Sequence, residues 1–376
     1  MQYAGRTFIG SISCRQCAGI KVYSIILMSE SKFNCQLNHC KRLTFDGINV
    51  SIYTEGECKM ALKNDILEIL ENNRTKDVSG QELAERLRVT RAAVWKAVKV
   101  LKADGHSIEA VRNRGYRLSD ESDIISREGI KSELKHSCDV MVYRCVDSTN
   151  TTAKLAAVGG APAGTVIIAE KQTGGKGRRG RSFYSPGEGG VYFSVILKPA
   201  VSAEESVFLT TAAAVAVSRA IERLTGKNAQ IKWINDVYVD GRKCVGILTE
   251  AIFDYESGGV DSVIVGIGIN VNVSDFPEEI KDKAGNIGKV SRNRLIALCV
   301  DNLMDICDDL PDISHLNEYR KRCFILGRRI TVISRGGKYE AKAESIDERG
   351  RLVVVYDGGK TAVLSNEEVS ISLAKD

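Results

Sequence analysis

The stretch Lys171-Gln-Thr-Gly-Gly-Lys-Gly-Arg-Arg-Gly-Arg181 sets glycines beside cations, directly after the apolar run Val166-Ile-Ile-Ala169. Glycine tolerates backbone conformations that side chains forbid. Gly174, Gly175 and Gly177 would therefore let peptide N–H groups turn toward an anion, while Lys176, Arg178, Arg179 and Arg181 supply positive charge. That is the chemistry of a loop closing over phosphate, although it is equally the composition of a solvated basic turn. A second candidate is Asp147-Ser-Thr-Asn150, four short polar side chains between a strand-like run over Val140–Val146 and a helix running through Leu155 and Ala157. Such a cluster ordinarily caps a helix; it can also offer converging donors and acceptors to a small polar ligand. A third, Ile231-Lys-Trp-Ile-Asn-Asp-Val-Tyr-Val239, reads as one strand carrying Lys232, Asn235 and Asp236 in an apolar setting, where charge needs a partner or a task. Beyond it, Gly241-Arg-Lys-Cys-Val-Gly-Ile-Leu248 reads as a hairpin return that sends Lys243 to the same region. An ordinary ion pair with Asp236 or Asp240 would also account for Lys232 and Lys243. In Val263-Ile-Val-Gly-Ile-Gly-Ile-Asn270 glycine alternates with isoleucine, and glycine inside a strand marks a close approach of ligand or backbone.

The elements that must hold these residues follow from periodicity. Strands at 140–146, 166–169, 190–197, 231–239, 241–248 and 263–270, with an alanine-rich buried helix over 210–224, predict an α/β domain spanning 121–325, and the strand-rich tail 326–376 reads as a further small domain. Residues 60–120 follow a different pattern. Leu62, Ile66, Ile69 and Leu70 recur at helical spacing, Ser79 and Glu82 form a capping box ahead of Leu83 and Leu87, and a third helix over 91–104 buries Val94, Ala97, Val98 and Leu101 before stopping at Gly105. Short strands at 107–111 and 116–118 flank Arg112-Asn-Arg-Gly115. Three helices and a basic wing make a winged helix-turn-helix, with Thr90, Arg91, Lys96, Lys99, Arg112 and Arg114 as the candidate DNA contacts. A protein-binding module is the alternative, because winged helices also bind proteins. A polar linker over 119–126 separates this domain from the next.

The chain has 376 residues, enough for two or more domains, and 43% hydrophobic residues, enough for real cores. A net charge of only +5 confines any nucleic-acid surface to a local patch. The longest apolar runs are strand-sized and broken by charge or glycine, so no membrane partner is expected. Six of the 11 cysteines, Cys138, Cys145, Cys244, Cys299, Cys307 and Cys323, are scattered through the body in mostly apolar contexts, the usage of reduced thiols in a cytoplasmic protein. Residues 1–59 hold the other five and no acid before Glu30. Cys14, Cys17, Cys35 and Cys40 could form a zinc site, and Arg6, Arg15 and Lys21 beside the short apolar stretch 20–28 could form a targeting peptide. The expectation is a poorly ordered extension, with Met60, which opens the first patterned helix, as the natural start.

In order, Asp147-Ser-Thr-Asn150, Glu170-x-Gln172-x-x-Gly175-Lys-Gly-Arg178, Lys232-Trp-x-Asn-Asp236, Gly241-Arg-Lys-x-x-Gly-Ile-Leu248 and Gly266-Ile-Gly-Ile-Asn270 resemble the biotin protein ligase family. With the helix-turn-helix, the resemblance from about residue 60 onward is to its bifunctional branch of ligases and biotin-operon repressors. The resemblance implies a mixed central sheet, an SH3-like C-terminal barrel, and ATP-dependent, AMP-forming biotinylation. Biotinyl-5′-AMP is formed first and its acyl group passes to a lysine of the biotin carboxyl carrier protein of acetyl-CoA carboxylase. It also implies biotin, ATP and Mg2+ as ligands, operator DNA as a partner, and a homodimer when biotinyl-AMP is bound. Ser148, Thr149, Asn150 and Gln172 would hold the ureido ring, with Lys176, Gly177 and Arg178 in the loop over biotin and adenylate. Lys243 would lie by the biotin carboxylate and α-phosphate. Lys176, Arg178, Arg181, Lys232, Asn235 and Asp236 would serve the nucleotide, Asp236 being the candidate magnesium contact, and Lys243, Arg178 and Asp236 the catalytic groups. The chain departs from the family's common pattern at Lys176, where arginine is usual, and at Ile234, where proline is usual. Lysine keeps the charge but not bidentate geometry. A biotin-sensing regulator with little ligase activity would lack the loop cations or Lys243, and a lipoyl or octanoyl transferase would lack the helix-turn-helix.

Overall fold

The computed structural model describes residues 41–45, 48–52, 55–74, 76–198, 206–253, 259–310, 312–334, 337–365 and 369–373. Cys14, Cys17, Cys35 and Cys40, the candidate zinc ligands, lie outside the described residues, as does the proposed targeting stretch. The chain divides into two compact units, residues 1–122 and 123–376.

In the first unit β1 (Lys41–Phe45) and β2 (Ile48–Ile52) pair antiparallel. Helix α1 (Glu55–Glu71) starts ahead of Met60, so the onset of the apolar repeat did not mark the onset of the helix. Helices α2 (Gly80–Leu87) and α3 (Arg91–Ala103) follow, then β3 (Ile108–Val111) and β4 (Gly115–Leu118). Ser79 Oγ accepts from Glu82 N at 2.9 Å and Thr90 Oγ1 from Ala93 N at 3.2 Å, so each helix begins on a side-chain cap. Arg88, left-handed at φ 54°, makes the tight turn between them. Ile66, Leu70, Leu83, Val94, Val98 and Leu101 form the core. Strand β4 is anchored by the bridge from Val78 to Tyr116. Gly115, at φ 122°, is required there, since a Cβ would lie 2.1 Å from the Val78 carbonyl oxygen.

The second unit opens with α4 (Arg127–Glu133), β5 (Val140–Val146), α5 (Thr149–Val158), β6 (Val166–Gln172), β7 (Gly190–Leu197) and α6 (Ser206–Thr225). It continues through β8 (Ala229–Lys232), β9 (Asp236–Val239), β10 (Arg242–Phe253), β11 (Val260–Asn270), α7 (Arg292–Asp308) and α8 (His315–Arg322). The seven strands run in the order β5-β6-β7-β11-β10-β9-β8, with β5 and β6 parallel and the other pairs antiparallel. Alternation splits β7 between two faces: Val191, Phe193, Val195 and Leu197 join the large core with α6 and α7, while Ile196 packs with Ala153 and Ala157 of α5. Small Ala212, Ala213, Ala216 and Ala220, all buried, let α6 lie close in that core.

The single strand expected over 231–239 is instead a hairpin. Lys232 pairs with Asp236 across a turn at Trp233, Ile234 and Asn235, and the Trp233–Ile234 peptide is cis. Trp233 and Ile234 are buried and of strand-forming type, which masks the turn-forming signal of Asn235 and Asp236 that follow them. The turn is gripped from behind: Tyr319 donates its hydroxyl to the Ile234 carbonyl at 2.9 Å, and Trp233 Nε1 donates to the Gly350 carbonyl at 2.9 Å. The C-terminal antiparallel sheet comprises β12 (Arg329–Ser334), β13 (Gly337–Ile346), β14 (Leu352–Tyr356), β15 (Thr361–Leu364) and β16 (Val369–Leu373), ordered β15-β14-β13-β12-β16, and Gly350 lies in the turn between β13 and β14. Cys138, Cys244, Cys299 and Cys323 are buried free thiols; burial pushes Cys244 up to about 11 and Cys323 up to about 12, so neither is a ready nucleophile. No described helix is long and apolar enough to cross a membrane.

Candidate active site and nucleic-acid interface

One cleft of about 210 Å³ collects residues from the start of α5, the end of β6, the loop after it, the β8–β9 turn, β10 and β11. Its uncharged end is built on the turn from β5 into α5. Ser148 takes the cap position of α5 but its hydroxyl caps nothing, although it is 2% exposed. The polar cluster is spent on a relay of side chains instead. Gln172 Oε1 accepts from Thr149 N at 2.8 Å, and Gln172 Nε2 donates to Ser185 Oγ at 2.8 Å. Ser194 Oγ lies 2.8 Å from Thr149 Oγ1 and 2.7 Å from Asn150 Oδ1. Asn150 Nδ2 donates to the Leu248 carbonyl at 3.1 Å and to Glu250 Oε2 at 2.8 Å, which leaves Oδ1 as the amide atom with remaining capacity. Burial acts to raise the Glu250 carboxyl, but bonds from Lys154 and Asn150 outweigh it and hold it below the usual carboxylate range. Gly266 makes room for this amide: a Cβ there would lie 2.0 Å from Asn150 Oδ1.

The opposite end is cationic. Lys243 Nζ lies 2.6 Å from Asp236 Oδ1, the ion pair that the sequence allowed, and that pair faces the cleft. Arg178 donates from Nη1 to Asn235 Oδ1 at 3.1 Å, and Asn235 Nδ2 donates to the Ile247 carbonyl at 2.8 Å. Burial pushes both Arg178 and Lys232 below their ordinary values, opposed by the Asp236 carboxylate. Lys176 turns from the cluster and donates to Thr151 Oγ1 at 2.8 Å, whereas exposed Arg181 lines the cleft.

The glycines of the loop act differently from the expectation. Left-handed backbone occurs at Arg179 (φ 58°) and Gly180 (φ 71°), while Gly174, Gly175 and Gly177 are outside that region. Gly174 and Gly175 are needed for close packing: a Cβ on Gly174 would lie 2.1 Å from Asp147 Oδ1, and one on Gly175 2.5 Å from the Phe183 carbonyl. The loop doubles back as Phe183 N donates to the Gly175 carbonyl at 2.8 Å and Gly177 N to the Arg181 carbonyl at 2.7 Å. Phe183 is thereby laid on Gly246 and Gly268, whose added Cβ atoms would meet its ring at 2.7 and 2.4 Å. An apolar strip thus separates the neutral polar end from the cationic end.

In the first unit Arg91, Lys96 and Lys99 are exposed on α3, opposite its buried face. Thr90 is occupied as the cap. Arg112 is exposed at the wing tip, while Arg114 is held by Asp77 at 2.7 Å, a carboxylate that also takes Arg117 at 2.6 Å.

Three family models match successive parts of the chain: HTH domain over residues 63–117, Biotin/lipoate A/B protein ligase family over 142–270, and Biotin protein ligase C terminal domain over 325–371. The bifunctional ligase/repressor BirA of Bacillus spizizenii is 33% identical over 320 residues, 82% of this chain and 98% of that protein. The chain belongs to the biotin protein ligase family. Its bifunctional branch also includes the Escherichia coli ligase/repressor, 26% identical over 74% of this chain and 88% of that one. A solved biotin protein ligase from Aquifex aeolicus, in complex with biotin and ATP, is 29% identical with a TM-score of 0.53, covering 63% of this chain and 99% of that chain. In this chain, side chains that the motifs missed support the cleft from behind its lining. Ser194 is the one small hydroxyl residue of a fully buried strand, which was the available signal; Ser185 lies outside the motifs on the far side of the loop, 13 residues from Gln172, and Glu250 meets Asn150 only across 100 residues.

Proposed function

We propose that the cleft condenses biotin with ATP to biotinyl-5′-AMP, that the acyl group then passes to a lysine of a biotin carboxyl carrier protein, and that the adenylate-loaded protein represses transcription as a homodimer on operator DNA. One observation carries the reading: a neutral hydrogen-bonding end, a glycine-floored apolar strip and a cationic end occur in that order in one cleft. A cyclic urea, an apolar body and a carboxylate that must meet a phosphate need that order. At the neutral end Ser148, Thr149, Asn150 and Gln172 bind the ureido group. Phe183, Gly246, Gly266 and Gly268 enclose the ring and chain, with Gly177 in the covering loop.

Adenylation brings two anions together, a carboxylate and the α-phosphate, and the uncatalysed encounter is opposed by their repulsion. Lys243 and Arg178 lower that cost by fixed positive charge, and Lys232 and Arg181 hold the remaining phosphates. No covalent enzyme nucleophile is needed, because the carboxylate attacks phosphorus and pyrophosphate leaves. The mixed anhydride hydrolyses readily, so the 174–183 loop has to exclude water until the acceptor amine displaces AMP. Among the described residues no group of three or more His, Cys, Asp or Glu could hold a metal. Asp236 is the single carboxylate among the described residues that line the cleft. That fits magnesium carried mainly by the triphosphate, where it would neutralise phosphate charge, with Asp236 as the protein's one contact.

The test is ATP-dependent transfer of labelled biotin to a carrier domain, run beside an operator gel shift. Transfer that requires both ATP and the acceptor lysine is expected. Biotin binding without transfer would leave a sensor in place of a ligase.

A further inference from the structure

The helix that presents Arg91, Lys96 and Lys99 also exposes a tryptophan, and no cation-based account of this face explains it. Trp95 is 56% exposed, whereas the apolar residues of the opposite face, Val94, Ala97, Val98 and Leu101, are buried in the core. Lys99 Nζ lies 5.6 Å from the Trp95 ring centroid, so the indole is held beside the cations. Helix α3 carries Arg91, Lys96, Lys99 and Lys102 and no acid. The occupant of this face is therefore a polyanion, and one that must offer an apolar group to an indole left in water at a cost in hydrophobic free energy. The major groove of DNA satisfies both conditions. Between its phosphate walls the base edges present hydrogen-bonding groups and a single apolar one, the C5 methyl of thymine.

We propose that Trp95 is a specificity-determining residue that reads thymine through apolar contact with its C5 methyl, while the surrounding cations contact phosphate. The inference rests on the DNA-binding reading of this unit. It divides the labour on one helix face: charge supplies affinity that any sequence would share, and the indole supplies a preference that depends on a methyl group.

The experiment uses the full chain with biotin and ATP to enrich duplexes from a randomised pool. The enriched duplex is then synthesised with thymine or with uracil, which lacks only the methyl. The wild-type protein is expected to bind the uracil duplex about fourfold more weakly per methyl contacted. Trp95→Ala should bind the thymine duplex more weakly, treat the two duplexes alike and keep the wild-type salt slope, since no phosphate contact is lost. Lys96→Ala should do the reverse, lowering the salt slope while keeping the thymine preference. Trp95→Phe, which retains an aromatic face, should keep part of the preference; an unchanged helical circular dichroism spectrum confirms that each variant is folded. Equal wild-type binding to both duplexes, or a preference that survives Trp95→Ala, overturns the proposal while leaving DNA binding intact. Failure to enrich any sequence removes the DNA-binding reading itself, and the inference with it. Displacement of the duplex by an acidic protein segment, with no thymine preference, would assign the face to a protein partner.

Discussion

At the scale of single residues the cleft separates orientation from charge. Lys243 is proposed to act by charge alone, so Lys243→Ala should slow biotinyl-adenylate formation roughly a hundredfold or more, the magnitude typical of one preorganised donor. Pyrophosphate release measured with biotin and ATP, without carrier, checks this; a near-normal rate removes Lys243 from the step. Ser194 is proposed to act through Thr149 and Asn150, from a position 0% exposed in the floor of the neutral end. Ser194→Ala should raise the KM for biotin about fivefold, the effect of one net hydrogen bond, with the KM for ATP unchanged. A rise in both constants would indicate general damage instead. Gln172 and Asn150 were readable as candidate ligands because they sit inside short motifs. Glu250, which fixes the Asn150 amide, was not, because the two are 100 residues apart and meet only where α5 packs on the sheet at β11, beside β10.

Elements, in turn, were legible where periodicity was long and illegible where strand-forming residues masked a turn. The three helices of the first unit followed from apolar spacing and caps, and α6 from its alanine-rich run. The β8–β9 hairpin did not: Trp233 and Ile234, strand-forming types held by Gly350 of the β13–β14 turn and by Tyr319 of α8, mask the turn signal of Asn235 and Asp236. Helix α8 has its own test. His315 is 4% exposed, lies 3.0 Å from Thr211 Oγ1 of α6, and burial pushes its imidazole down to about 4. The unfolded chain, with an ordinary imidazole, binds the proton first as pH falls. Stability is therefore full above pH 6.5, the ordinary value, and is lost progressively as pH falls toward about 4. At pH 5 the loss from this group is about 2 kcal/mol. Denaturant unfolding at pH 7.5 and 5 should show a smaller pH-dependent difference in His315→Gln than in the wild type. Identical differences in the two proteins would mean that His315 does not remain neutral in the fold.

For the whole molecule the question is how one ligand serves two units. The proposed repressor role requires biotinyl-AMP to bind the dimer-competent state more tightly than the other, since a ligand with equal affinity for both shifts nothing. A gel shift should therefore show tighter operator binding with biotin plus ATP than without, alongside a higher dimer fraction in sedimentation. Arg112→Ala should weaken that shift and reduce its salt slope by about one. Equal affinity and equal dimer fraction under both conditions would separate the DNA-binding unit from the enzyme's ligand. Both roles depend first on the adenylate being made and handed on in the cleft. The most direct measurement is therefore transfer of labelled biotin to a carrier domain, comparing the wild type with Lys243→Ala and the carrier with a variant lacking its acceptor lysine. The account predicts ATP-dependent labelling by the wild type alone, confined to the carrier that keeps its lysine. Equal labelling by Lys243→Ala, or labelling without ATP, would contradict it.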